Sequence, residues 1–385
     1  MNNVMITGST GAIGARVLSS LAAQPGLRQI YVLRDRSGSG SPPAPDLKPH
    51  AELRLLDGDP RQPRLGLDPA AFTDLCASVD TIFHCAERTI MDRDLDAARA
   101  FNVQPVATLI EMLQHNPAAR LAHVSTALVA GTKRGLFTEF DLACGQRFHN
   151  AYEQSKFEAE RLLRESAVAD RVTVFRRSLT ADELAAGTAV RQSSPLAALL
   201  DTLRRGKLVL FAGDPRMHLD TVPLSYVAGS MVALATRPEA LGKTVHLVAG
   251  WPRSRALREL AAVIRKRFGR GRVRFLPPAL SFLARALGLA GLGLIAAFPG
   301  RRAALAPYFR HRCTFDDFQA RALLEPLGLS CPDSDACLAE ILDGAGAAAP
   351  QAASAVDVAG RAETALPPPV ALDPSRKNAH VPTQD

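Results

Sequence analysis

Short unbroken apolar runs and longer helical repeats take turns along the first half of this chain. Val4, Met5 and Ile6 stand together, and the next apolar positions, Ile13, Val17, Leu18 and Leu21, recur at helical spacing. Apolar strands follow over residues 29–33, 52–56 and 80–84. One long helical pattern then runs through Leu95, Ala98, Phe101, Val106, Leu109, Ile110 and Leu113. A strand over 120–125, a helix over 152–165 and a strand over 171–176 complete the series. Continuous apolar strands separated by helices predict an α/β fold, a doubly wound parallel sheet covered on both faces.

The second half is less regular. Helices are expected over 195–205, within 222–234, and over 256–267, 316–324 and 336–342, with a strand over 244–248. The apolar stretch 277–299 is broken by Arg285 and several glycines, so it predicts a packed or membrane-surface helical hairpin rather than a spanning helix. The Gly/Ser/Pro-rich residues 37–49 read as a surface loop. The Ala/Pro-rich residues 344–385 read as a disordered tail. No internal repeat is present.

Composition narrows the partners. With 385 residues, 47% apolar and 22% charged, the chain has core enough for one large domain or two. Its net charge of +8 points to acidic partners: a phosphorylated cofactor, coenzyme A, an acidic carrier protein or anionic lipid. Nucleic acid is not expected, because aromatics are few and the basic residues are scattered rather than gathered in a stripe. Cys76, Cys85, Cys144, Cys313, Cys331 and Cys337 form no CxxC pair and have no histidines at ligand spacing. They read as reduced thiols of a cytosolic protein, with no metal site. Residues 1–3 lead straight into the first strand, so no signal peptide is expected.

Candidate chemistry begins at the first turn. Gly8, Gly11 and Gly14 follow a strand and open a helix, where backbone approaches a pyrophosphate and free N–H groups favour negative charge. Tyr152 and Lys156 lie four apart on one helix face. A lysine ammonium beside a phenol favours its ionised form and makes it a usable proton donor near neutrality. Thr126 follows a strand on the edge where open parallel sheets place ligands, and its hydroxyl suits an oxyanion hole. Ser125 is the rival for that role, and capping a turn is the plainer use of Thr126. His84, His123 and His218 read as core or loop histidines.

These pieces, with TGSTGAIG, DGD, FHCAE, FNV, HVSTALVAG and YEQSK in order over roughly residues 1–250, resemble the extended short-chain dehydrogenase/reductase family. HVSTALVAG, NAYEQSKFEAE, VTVFRRS and the LGL after the DGD are most similar to its thioester-reductase and fatty acyl-CoA reductase branch. The resemblance implies a Rossmann-type domain and a nicotinamide cofactor held by Gly8, Thr10, Gly11, Ile13 and Gly14. It places Asp59 near the adenine, Lys156 on the nicotinamide ribose and Asn102 in the proton path. The family sets its active hydroxyl five residues before the loop glycine, here Gly131, which selects Thr126. The chain departs from the branch at Ala12, where an aromatic is usual, and at Leu128 and Ala130, which lack the loop aromatic. It departs also at Glu87, whose charge falls near the cofactor where a small residue is usual.

Arg34 and Arg36 follow the second strand, where a ribose 2′-phosphate would lie, and favour NADP over NAD; Asp35 keeps NAD open. The expected layout is an NAD(P)-binding domain over 1–180 with a return segment near 212–235. A smaller, mainly helical substrate lobe follows over 181–343. The expected activity is NADPH-dependent reduction of an acyl-CoA or acyl-carrier thioester to aldehyde or alcohol. The alternatives are an NAD(P)-dependent epimerase or dehydrogenase of a nucleotide sugar or sterol-like alcohol, and a non-catalytic dinucleotide-binding protein. The basic run 265–274 ahead of 277–299 adds peripheral contact at the inner membrane face to a cytoplasmic placement.

Overall fold

The computed structural model describes residues 1–35, 50–88, 94–180, 208–211, 218–251, 253–268, 272–275 and 313–333. Arg36, the loop 37–49, the helices 195–205 and 336–342, the apolar stretch 277–299 and the tail 344–385 lie outside them.

Seven parallel strands form the main sheet. In chain order they are β1 (Asn3–Thr7), β2 (Gln29–Asp35), β3 (Glu52–Gly58), β4 (Thr81–His84), β5 (Arg120–Thr126), β7 (Val172–Arg177) and β12 (Thr244–Leu247). Across the sheet the order is β12-β7-β5-β4-β1-β2-β3. Shorter strands pair outside it: β6 (Gly135–Phe137) with β15 (Cys313–Phe315), β8 (Leu179–Thr180) with β11 (Thr221–Val222), β9 (Leu208–Phe211) with β14 (Arg272–Phe275), and β10 (His218–Leu219) with β13 (Arg255–Ala256).

Alternation along the strands builds two cores. Val4, Ile6, Ile30, Val32, Phe83, Ala122, Val124, Phe175, Val245 and Leu247 face one side. There they meet helices α1 (Ala12–Ala22), α6 (Leu224–Leu234) and α8 (Phe318–Leu324). Met5, Tyr31, Leu33, Ile82, Leu121, Val172 and Val174 face the other side. They meet α2 (Pro69–Ser78), α4 (Gln104–His115) and α5 (Ala151–Arg164). Strands buried on both faces have to read as unbroken apolar runs, which is why the sequence predicts them well. The chain beyond residue 180 shares this body: it supplies the seventh strand, and α6 packs on α1.

One expected element divides. The long helix through Leu95 to Leu113 is two helices, α3 (Leu95–Asn102) and α4, separated at Val103. Pro105 has no N–H to continue the ladder, and its ring disfavours helical backbone before it, so the chain restarts there. The break leaves buried Asn102 at the end of α3, pointing at the loop after β4. In the second half, α7 (Leu257–Phe268) carries exposed Arg265 and Lys266. Among the described residues, no helix is long and apolar enough to cross a membrane, and no side-chain cluster could hold a metal ion.

Candidate active site

The glycine turn is shaped by close packing at Gly8 and Gly14 and more loosely at Gly11, where a Cβ would lie 3.3 Å from the Gly8 carbonyl oxygen. Gly8 has φ +74°, and a Cβ there would lie 2.4 Å from the backbone nitrogen of Ala86. A Cβ on Gly14 would lie 2.1 Å from the carbonyl oxygen of Gly8, so the helix sits directly on the turn. Gly11 caps α1 with its backbone, and no side chain satisfies the first-turn N–H groups. Thr10 and Gly11 are exposed, whereas the Ile13 side chain is in the core, leaving only its backbone for a ligand. An uncapped helix N-terminus without acidic residues fits the pyrophosphate of a dinucleotide.

The adenosine-side candidates are already engaged. Arg61 binds Asp59 through Nε (2.8 Å) and Nη2 (2.9 Å) and holds its carboxyl below the ordinary range. Arg34 meets Asp57 at 2.5 Å in a half-exposed pair.

The proposed proton donor lies on α5. Asn150 caps this helix by accepting the Glu153 N–H at 3.0 Å, and the Glu153 carboxylate reaches back to the His149 N–H at 2.8 Å. That start places Tyr152 and Lys156 over the carboxyl ends of β4 and β5. Lys156 Nζ, buried, donates to the Val124 carbonyl at 2.6 Å. Tyr152 donates its hydroxyl to Glu87 Oε2 at 3.1 Å, and Lys156 Nζ stands 3.7 Å from the same oxygen. Arg177 Nη2 grips the other oxygen, Oε1, at 2.5 Å. Burial pushes the Glu87 carboxyl up, but Arg177 and then Lys156 outweigh it, and the group stays below its ordinary value as an anion. Burial lowers Lys156, opposed by Glu87 and Glu160.

Thr126 closes β5, with Arg177 as its register partner on β7. Its oxygen accepts the Leu128 N–H at 3.2 Å, so it does cap a turn, and the hydroxyl hydrogen still remains to donate. Ser125 points elsewhere, donating to Glu160 at 2.5 Å. Asn102 reaches α5 through Ser155. Its amide accepts from the Arg88 N–H (2.9 Å) and donates to Ser155 Oγ (2.9 Å), which donates to the Tyr152 carbonyl (3.0 Å). It therefore ties the loop after β4 to the first turn of α5. Behind the site, His84 Nδ1 lies 2.7 Å from Thr7 Oγ1, and the His84 ring stacks on His123. Burial drives His84 down to about 3 and His123 well down, so both are neutral.

Sequence reasoning missed Arg177 and the pair Arg176–Glu160. The one available signal was a charged doublet, Arg176-Arg177, closing an otherwise apolar strand, since buried charges need partners. A cavity of about 490 Å³, lined by residues including Glu139, Phe140, Arg164 and Lys243, shares no lining residue with this site.

A family model described as "Male sterility protein", an NAD-binding domain, matches residues 6–231. Among curated proteins, a hybrid PKS-NRPS synthetase of Pyrenochaetopsis is 30% identical over 167 residues, covering 43% of this chain and 4% of that protein. An isonitrile lipopeptide synthase of Streptomyces coeruleorubidus is 29% identical over 188 residues, covering 43% and 12%. The chain thus spans a small part of these relatives' length. Among solved structures, the terminal R domain from the myxalamid PKS-NRPS pathway superposes with TM-score 0.71 at 25% identity, covering 89% of this chain and 90% of that one. The reductase domain of a nonribosomal peptide synthetase from Mycobacterium tuberculosis gives 0.65 at 20%, covering 89% and 91%, a likeness of fold.

Proposed function

Since the chain belongs to the male sterility protein family, NAD-binding reductases of the extended short-chain dehydrogenase type, we propose that it reduces a carrier-bound acyl thioester with NADPH. One observation carries the reading: Thr126, Tyr152 and Lys156 gather at the carboxyl edge of the sheet, beside an open helix N-terminus. When bound, the dihydronicotinamide supplies a hydride to the acyl carbonyl carbon. Thr126 and Tyr152 donate hydrogen bonds to the carbonyl oxygen as it gains charge, and Tyr152 passes its proton to it. Lys156 carries the compensating positive charge. The resulting hemithioacetal breaks its C–S bond, releasing aldehyde and thiol; a second round yields alcohol.

The relatives' printed descriptions as PKS-NRPS synthetases and R domains support a carrier over free coenzyme A. Arg34, with Arg36 beside it in sequence, supports NADPH over NADH. Exposed Arg265 and Lys266 ahead of the apolar stretch 277–299 support peripheral contact with an anionic membrane, which vesicle flotation with and without anionic lipid tests. The deciding experiment is NADPH oxidation with acyl-carrier thioesters, acyl-CoAs and nucleotide sugars side by side. Turnover confined to thioesters, with carrier-bound ones preferred, is expected; turnover of nucleotide sugars alone would reject the reading.

A further inference from the structure

We propose that Glu87, clamped by Arg177, is a positioning residue that keeps the Tyr152 phenol protonated and so commits the site to giving protons, the direction that reduction needs. The inference rests on the reading of Tyr152 as proton donor. It starts from the charges that surround the phenol. Lys156 comes from α5 and Arg177 from β7, both cations; Glu87 comes from the loop after β4. On the same two elements Glu160 of α5 and Arg176 of β7 are bonded to each other. His84 and His123 are neutral. Without Glu87 the phenol would stand among the cations Lys156 and Arg177, a setting that favours phenolate.

Glu87 reverses that balance at hydrogen-bond range. Its Oε2 accepts the Tyr152 proton at 3.1 Å, a bond that a phenolate cannot donate, and the same oxygen draws on the Lys156 charge at 3.7 Å. Arg177 on Oε1 keeps the carboxylate ionised and fixed, with only 11% of its side chain exposed. At rest the phenol is therefore poised to give a proton rather than to take one. The O–H bond of Tyr152 breaks, the proton forms a new O–H on the substrate oxygen, and the electron pair stays on the phenolate, which water reprotonates. Oxidation of an alcohol would need the phenolate beforehand, and the carboxylate disfavours it.

The experiment needs no substrate. Tyrosinate absorbance is followed against pH in the whole protein, and subtracting the Tyr152→Phe titration isolates Tyr152 from the other three of the four tyrosines. Glu87→Gln should move the Tyr152 midpoint down by on the order of one unit or more, and Arg177→Met should move it up. NADPH binding by fluorescence identifies variants that remain folded. Opposite shifts in the two variants support the proposal; an unmoved midpoint in a folded Glu87→Gln protein overturns it. A parallel assay of thioester reduction should lose activity at lower pH in Glu87→Gln than in the parent. If the midpoint shifts but no thioester is reduced by any variant or the parent, the positioning role stands and the thioester reading fails.

Discussion

Arg176 and Arg177 are neighbours on β7, and each holds a buried glutamate, yet the two pairs do different things. Successive strand residues belong to different rows across the sheet. Ser125, Arg176 and His246 are in register in one row, and Thr126, Arg177 and Leu247 in the next. The first row is sealed. Arg176 and Glu160 are both 0% exposed, bonded at 2.8–3.1 Å. Ser125, His246 and the Asp141 carbonyl take up the remaining polar groups. The second row gives Glu87 to the Tyr152 phenol and the Lys156 ammonium. The same pair of residue types is closed on itself in the first row and, on the reading proposed above, serves a proton donor in the second.

Five variants break or sharpen this contrast. The largest effect should come from Tyr152→Phe, which removes the donor from the second row: turnover falls by about 10²–10⁴-fold while NADPH affinity, read by fluorescence, stays within a factor of a few. In the first row, Arg176→Met leaves Glu160 as an uncompensated buried charge and should cost about 3–5 kcal/mol in denaturant unfolding. The double change Arg176→Met with Glu160→Leu should recover most of that loss. Recovery of nothing would mean the arginine acts through packing instead.

A third buried glutamate shows what happens with no arginine on the carboxylate. Glu139 is met by the backbone N–H groups of His246, Gln319 and Ala320, and burial pushes it up to about 7. A carboxyl raised in the folded state holds a proton that the unfolded chain, at its ordinary 4.5, has lost. Its contribution therefore falls as pH rises from about 4.5 to about 7, by roughly 3 kcal/mol at 1.36 kcal/mol per unit. Subtracting the unfolding profile of Glu139→Gln from that of the parent should isolate this slope. The smallest effect is outside both rows: Arg34→Ala should weaken NADPH by on the order of 1 kcal/mol and leave NADH unchanged.

The sheet was legible because strands covered on both faces must be apolar throughout, as Val4–Ile6 and Ile30–Leu33 are. The helix break at Val103 was not, because Leu95, Ala98, Phe101, Val106 and Leu109 keep a helical rhythm across it, and only Pro105 marks the restart. The four-residue spacing puts Tyr152 and Lys156 on one helix face. Spacing alone left Thr126 and Ser125 as rivals, and the family resemblance chose Thr126; the structure turns Ser125 onto Glu160. Glu87 was visible as a charge near the cofactor, but its partner Arg177 is 90 positions away, and pairing at that distance leaves no periodic trace. The strand expected over 171–176 runs from Val172 to Arg177, because Arg177 too stays buried, on Glu87.

The seventh strand bears on how this protein can be cut and spliced. The family match stops at residue 231, but β12 and α8 come later and finish the same body. A fragment ending at 231 would turn β7 into a bare edge, an invitation to pair with another copy. It would also strip Glu139 of all three of its donors and Arg176 of His246. A transplantable module therefore has to run at least through Cys331, the last core residue among the described residues. The boundary that defines kinship and the boundary that defines folding are a hundred residues apart.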